Sequence, residues 1–208
     1  MPYRKIPFLN ECHYHLYNRG VARQPIFYDT QDYKHFTAYM FSCRKNSDLP
    51  DLKDVAIEAY CLMPNHFHLL VKQCSKRGIT NYLRRFLIAY SMYFNYKYDR
   101  VGPLYQGRTK AKWVKDEKYF KEISRYIHRN PMKLFLSPLE FLTYPHSNLQ
   151  YYLTNNQANS SLLLSFFDND PERYKRFILQ IPTGSPDLPI WSVPYWHTLH
   201  PSVSLNYS

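Results

Sequence analysis

Residues 55–73, VAIEAYCLMPNHFHLLVKQ, constrain the fold more than any other stretch of this chain. Val55 to Leu62 is rich in β-forming residues, and Met63, Pro64 and Asn65 make a turn. His66 to Gln73 then returns as a second strand, closing a hairpin. Alternate side chains of a strand share a face. Phe67, Leu69 and Val71 therefore suit packing under helices, whereas His66, His68, Leu70 and Lys72 point the other way. Two imidazoles two residues apart lie roughly 7 Å apart at Cα, and their rings can converge on one ion. A pair of ordinary surface histidines gives the same pattern, so this stretch alone leaves both readings open.

The surrounding sequence supplies the other layers. CHYHLYNRG (Cys12 to Gly20) reads as a strand ending in a glycine turn. Asp29 or Thr30 can cap a helix carrying Tyr33, Phe36, Tyr39, Met40 and Cys43. From Thr80 to about Tyr98, Leu83, Phe86, Leu87, Tyr90 and Phe94 form one apolar stripe at helical spacing. LYQGRTKAKWV (Leu104 to Val114) reads as a strand. Asp116 and Glu117 suit the first turn of a helix that ends before Pro131. The order β, α, ββ, α, β, α predicts an α+β fold: an antiparallel sheet with helices packed on one face, in a ferredoxin-like layout. Residues 1–137 are expected to form the main domain and 138–208 a C-terminal extension, which holds eight of the 15 prolines. Short helices are expected in SLLLSFFDNDPERYKRFIL. A Pro-rich extended tail follows, with Trp191 and Trp196 pinning it to the core.

A content of 45% hydrophobic and 18% aromatic residues fits a globular chain and excludes a disordered one. The formal net charge is +11, and residues 76–125 carry +9 of it, with 13 Lys/Arg against 4 Asp/Glu. Tyrosines and phenylalanines interleave with these basic residues. That mixture suits a groove that neutralises phosphates and stacks unpaired bases. Four scattered cysteines without a C-x-x-C, no apolar signal segment and no long apolar run predict a cytoplasmic protein with reduced thiols.

Two histidines make a poor metal site, so a third ligand should lie elsewhere. At 100° per residue, Tyr119, Ile123, Tyr126 and Asn130 fall within about 60° on the helix before Pro131. Tyr126 and Asn130 are thus one turn apart on the side facing the body. A core tyrosine and a helix-ending asparagine would look the same from spacing alone. A second arrangement would join His13 and His15 to His66 and His68 in a four-histidine zinc site.

Taken together, PNHFHLL, QGRTKAKWV and YIHRNPMK resemble the single-tyrosine HUH transposases, and more closely their REP-associated branch. The likeness runs from YHLYNRG through NPMK, and more weakly through YPHSNLQYYL to SLLLSFFDNDPERYKRF. It implies that His66 and His68 bind a divalent metal, Mg²⁺ or Mn²⁺. It places the nucleophile at Tyr126 and the third metal-side ligand at Asn130, where some members have Gln. The implied activity is cleavage and rejoining of hairpin-bearing single-stranded DNA through a covalent 5′-phosphotyrosine, without ATP. Arg84, Arg85, Arg108, Lys110 and Lys112 are the expected backbone contacts, with Asn18 and Arg19 of YNRG beside them. Members act as monomers with the tyrosine in cis or as homodimers that share it in trans, and the expected location is the nucleoid. The contrasting reading is a non-catalytic single-stranded nucleic-acid-binding protein derived from such a transposase.

Overall fold

The computed structural model describes residues 7–45, 53–135, 139–154, 158 and 161–180. Trp191, Trp196 and the Pro-rich tail lie outside the described residues. Four antiparallel strands, β1 (His13–Arg19), β2 (Val55–Met63), β3 (His66–Gln73) and β4 (Lys110–Val114), form one sheet in the order β2-β3-β1-β4. Helices α1 (Thr30–Ser42) and α2 (Gly78–Lys97) connect them in the ferredoxin-like manner. Then come α3 (Glu117–Arg129) and three shorter helices, α4 (Leu149–Thr154), α5 (Leu162–Ser165) and α6 (Pro171–Leu179).

The first face of the sheet carries the aromatic core expected from the hairpin. Tyr14, Leu16, Phe67, Leu69 and Val71 pack against Phe36 and Met40 of α1 and Tyr82, Phe86, Tyr90 and Phe94 of α2. Asp29 caps α1 by accepting from the Asp32 amide, at 3.0 Å. Buried polar ends find partners here: Tyr82 donates to the Met40 carbonyl at 3.1 Å, and Arg85 reaches Asp54 at 2.7 Å.

Helices α1 and α2 cover this face. Ala59, Cys61, Met63, Leu70 and Val114 present a second apolar surface on the other face. Ile123 and Ile127 of α3, with Phe141, Leu149, Leu163, Leu164, Tyr174 and Ile178, bury it. Helix α3 is therefore buried on two sides. His128, which points away from the Tyr126 stripe, donates from Nε2 to Asn148 Oδ1 at 3.0 Å and accepts at Nδ1 from the Tyr174 hydroxyl at 2.6 Å. The described residues after 138 thus form the outer wall that holds α3 against the sheet. It also covers the β2 edge, where the Leu62 amide donates to the His146 carbonyl at 2.8 Å.

Strand β4 begins at Lys110, not at Leu104. Gly107 sits at φ 72, a conformation that breaks a strand and that glycine adopts without strain. Residues 104–109 therefore form a loop, and Tyr105 makes a single bridge to Gly20.

Candidate active site

The turn between β2 and β3 is held on several sides. The Pro64 carbonyl accepts from the amides of Ile26 (2.8 Å) and Phe27 (3.2 Å). Asn65 donates through Nδ2 to the Arg23 carbonyl at 3.1 Å, and its carbonyl accepts from Gly20 N at 2.8 Å. Gly20 is required by close approach, since a Cβ there would lie 2.0 Å from the Gln24 carbonyl oxygen. These contacts fix the start of β3, and with it His66, opposite Arg19 of β1.

Helix α3 supplies the other half. Asp116 caps it by accepting from the Tyr119 amide at 2.7 Å. Pro131 has no N–H to continue the ladder, and Asn130 starts a short 3-10 turn, Asn130–Leu134. The sheet side of α3 brings Tyr126 and Asn130 over β3, as their helical spacing predicts. Tyr126 Oη lies 3.5 Å from His68 Nε2, and Asn130 Oδ1 lies 3.2 Å from His66 Nε2. The histidine rings themselves stand edge to face, 5.2 Å apart.

The other nitrogen of each ring is already engaged. Asn65 Oδ1 accepts from His66 Nδ1 at 2.7 Å. His68 Nδ1 lies 2.9 Å from Nε2 of His15, a ring stacked beside it in β1. With its proton on Nδ1, His66 presents a lone pair at Nε2, directly opposite the lone pairs of Asn130 Oδ1. Neutral acceptors facing one another in a buried site are the donor set of a cation. Asn130 is 2% exposed, and its Nδ2 has no hydrogen-bond partner among the described residues, so its amide oxygen is the group aimed at the imidazoles.

Electrostatics keep both ligand candidates neutral. Burial holds His66 down to about 4; the Asn130 contact opposes this, and Lys133 and Arg19 add to it. Burial, then His15, His66 and Lys133, hold His68 well below the ordinary imidazole value. His15 is held at about 3 by burial and Lys112. Neutral imidazole is the form that binds a metal.

The four-histidine site does not form. His13 turns to Glu58 (3.7 Å) and Phe120, while His15 stacks on His68 at the back of the ring. Among the described residues no group of three His, Cys, Asp or Glu side chains could hold a metal. Two imidazoles and an amide are thus the candidate set. Lys133 escaped the sequence reading. It lies one turn beyond Asn130, and its charge adds to the burial that lowers both imidazoles; that spacing in NPMK was the available signal.

The expected DNA contacts divide. Lys110 and Lys112 pair with Tyr17 and His15, so they share the face of the histidines. Tyr17, Asn18, Arg19, Gln106 and Lys110 line one cavity of about 110 Å³. Asn18 donates to the Gly107 carbonyl (3.2 Å) and shapes the loop that carries Arg108. Arg108 in turn borders a groove of about 370 Å³ against α2. The two α2 arginines are not brought there. Arg84 is exposed on α2, and Arg85 is held by Asp54 and the Cys43 and Lys45 carbonyls.

All four cysteines are free thiols, and among the described residues no helix is long and apolar enough to cross a membrane. The family model described as "Transposase IS200 like" matches residues 8–130. A solved structure, described as the REP-associated tyrosine transposase bound to a REP hairpin, superposes with a TM-score of 0.57 at 15% identity. The match covers 74% of this chain and 87% of that one, a shared fold. No curated protein matches the chain.

Proposed function

The chain belongs to the IS200-like transposases, and on that premise we propose that it nicks and rejoins single-stranded DNA with Tyr126 as nucleophile. One observation carries this reading: Tyr126 Oη, the two Nε2 atoms of His66 and His68, and Asn130 Oδ1 converge from two elements on one point of the sheet. Hairpin-bearing DNA is the proposed substrate, by analogy with the solved structure of the same fold.

In the proposed step the Tyr126 oxygen bonds to phosphorus and the bond to the 3′ oxygen breaks. The phenol proton ends on the released 3′-OH, and the phosphate stays on Tyr126 as a 5′-phosphotyrosine. A second 3′-OH reverses the step on a new strand, so the phosphoester energy is retained and no nucleotide is consumed. His66, His68 and Asn130 would hold a divalent cation, Mg²⁺ or Mn²⁺, which would polarise the phosphoryl oxygens. All three ligands are neutral, so they leave that positive charge for the substrate. Lys133, whose charge acts on both imidazoles, would add positive charge at the same site. Arg19, Lys110 and Lys112 extend the positive surface along the sheet face for the flanking strand. Within one chain Tyr126 Oη lies 3.5 Å from His68 Nε2, which supports a site assembled in cis.

The test uses full-length protein with a hairpin oligonucleotide, Mn²⁺ and a chelator control. Wild type should cleave only with the metal. His66→Ala should lose cleavage and keep DNA binding. Unchanged cleavage in that variant would remove the metal role, and no cleavage by wild type on any hairpin substrate would favour a binding-only protein.

A further inference from the structure

His15 is a buried polar residue with no part in the proposed step. It is 0% exposed, at the centre of β1, where the same strand places Tyr14 and Leu16 into the core of the opposite face. Its Nε2 lies 2.9 Å from His68 Nδ1, with the rings stacked at 5.1 Å. Its own Nδ1 has no hydrogen-bond partner among the described residues. A leucine would fill this position with no unpaired nitrogen of its own. An orphaned buried nitrogen is costly, and where it persists it calls for an explanation.

The explanation lies in the two nitrogens of His68. Its Nε2 faces Tyr126 Oη, on the side where His66 Nε2 and Asn130 Oδ1 converge. Nε2 can bind a cation only as a lone pair, which requires the ring proton on Nδ1. A neutral imidazole has one proton to place, and the partner of one nitrogen decides which carries it. For His66 that partner is Asn65 Oδ1, which can only accept. For His68 it is an imidazole.

We propose that His15 is a positioning residue: its Nε2 accepts the His68 Nδ1 proton and so holds His68 Nε2 as the lone pair that the site uses. His15 then carries its own proton on Nδ1, the nitrogen left without a partner. The two histidines of the site are thus oriented by two different acceptors, an asparagine on the turn and a second histidine on the neighbouring strand. The proposal rests on the reading of His66, His68 and Asn130 as a cation site.

Nitrogen-15 NMR of the histidine rings in full-length, metal-free protein reads the tautomer without DNA or activity. His68 should be protonated on Nδ1 in wild type; protonation on Nε2 would overturn the proposal. Mn²⁺ titration of the same protein then separates the roles. His15→Leu should weaken Mn²⁺ binding by roughly 10- to 100-fold, the usual effect of removing a partner behind a metal ligand. His15→Gln, whose amide oxygen can accept at similar reach, should restore most of it. Affinity for the hairpin oligonucleotide in chelator should stay at the wild-type level in both, which excludes general misfolding. Equal Mn²⁺ affinity in His15→Leu and wild type would overturn the proposal. Wild type that shows the Nδ1 tautomer but binds no Mn²⁺ would instead overturn the cation-site reading and leave the tautomer assignment standing.

Discussion

The two faces of the sheet are made from the same strands and treat polar groups in opposite ways. On the α1–α2 face the buried carboxylates are saturated. Asp32 accepts from the Tyr28 amide, Tyr93, Lys97 and Tyr98, and Asp54 accepts from Arg85 and Ser75. On the α3 face the buried polar groups include three imidazoles and the Asn130 amide beside Ser124 and Arg125, and His15 Nδ1 and Asn130 Nδ2 find no partner among the described residues. The first face spends its polar atoms on holding helices in place. The second leaves acceptors pointed at a shared centre. One strand thus alternates between packing and chemistry, residue by residue.

Adjacent residues of β3 test this division most sharply. His68→Ala should abolish strand cleavage while the protein still melts cooperatively and binds DNA. Phe67→Ala, one residue away on the other face, should cost about 3–5 kcal/mol in stability, the usual loss for a buried phenylalanine. Its cleavage rate per folded molecule should stay near wild type. Urea denaturation and single-turnover cleavage on both variants would check this, and a cleavage defect in folded Phe67→Ala would blur the two faces.

Acid should separate the faces next. Unfolded imidazoles protonate near 6.5, whereas burial holds His66 and His128 at about 4 and His15 at about 3. Between these values the unfolded chain binds more protons, so stability contributed by the α3 face falls as the pH drops from 6.5 towards 4. Asp29 and Asp32 act in the same direction but in a lower pH window. Lys97 leads the contacts that depress Asp29; at Asp32 burial opposes the shift, but hydrogen bonds from Lys97, the Tyr28 amide and two tyrosines outweigh it. Their contribution persists above the ordinary carboxylate value of 3.8 and is lost only as the pH falls below it. Hydrogen exchange at pH 5 should therefore speed up in α3 before α2. Simultaneous loosening would argue against two separately stabilised faces.

The smallest expected effect concerns the basic residues. Lys110→Ala should weaken binding of single-stranded DNA and reduce the slope of log affinity against log salt by about 0.7. Arg85→Ala should leave that slope unchanged and lower thermal stability, because its guanidinium serves Asp54. A salt slope altered by Arg85→Ala would return that arginine to the DNA surface.

How legible all this was in sequence follows from the physics of each element. Period-two alternation gave β3 and the faces of its side chains, and period 3.6 gave α2 and the Tyr126–Asn130 pair, because local spacing encodes direction. What spacing does not encode is which face a helix covers. The residues that close over α3, Phe141, Leu149 and Tyr174, come from far along the chain, where local spacing gives no direction. The start of β4 was misread because Leu104 and Tyr105 look like strand residues, while Gly107 at φ 72 ends the regularity. His15 was legible as half of an H-x-H pair, but its role depends on a cross-strand neighbour, which only the register of β1 on β3 reveals. Arg84 and Arg85 looked alike in sequence; Asp54, 31 residues before Arg85, made them different.

The central claim is that the α3 face joins the β3 histidines to a tyrosine nucleophile. A suicide oligonucleotide bearing a hairpin, incubated with full-length protein and Mn²⁺ and followed by peptide mass spectrometry, tests it directly. The account predicts one DNA-linked peptide, with the phosphate on Tyr126, and no adduct from Tyr126→Phe. An adduct on another residue, or one that survives Tyr126→Phe, would contradict it.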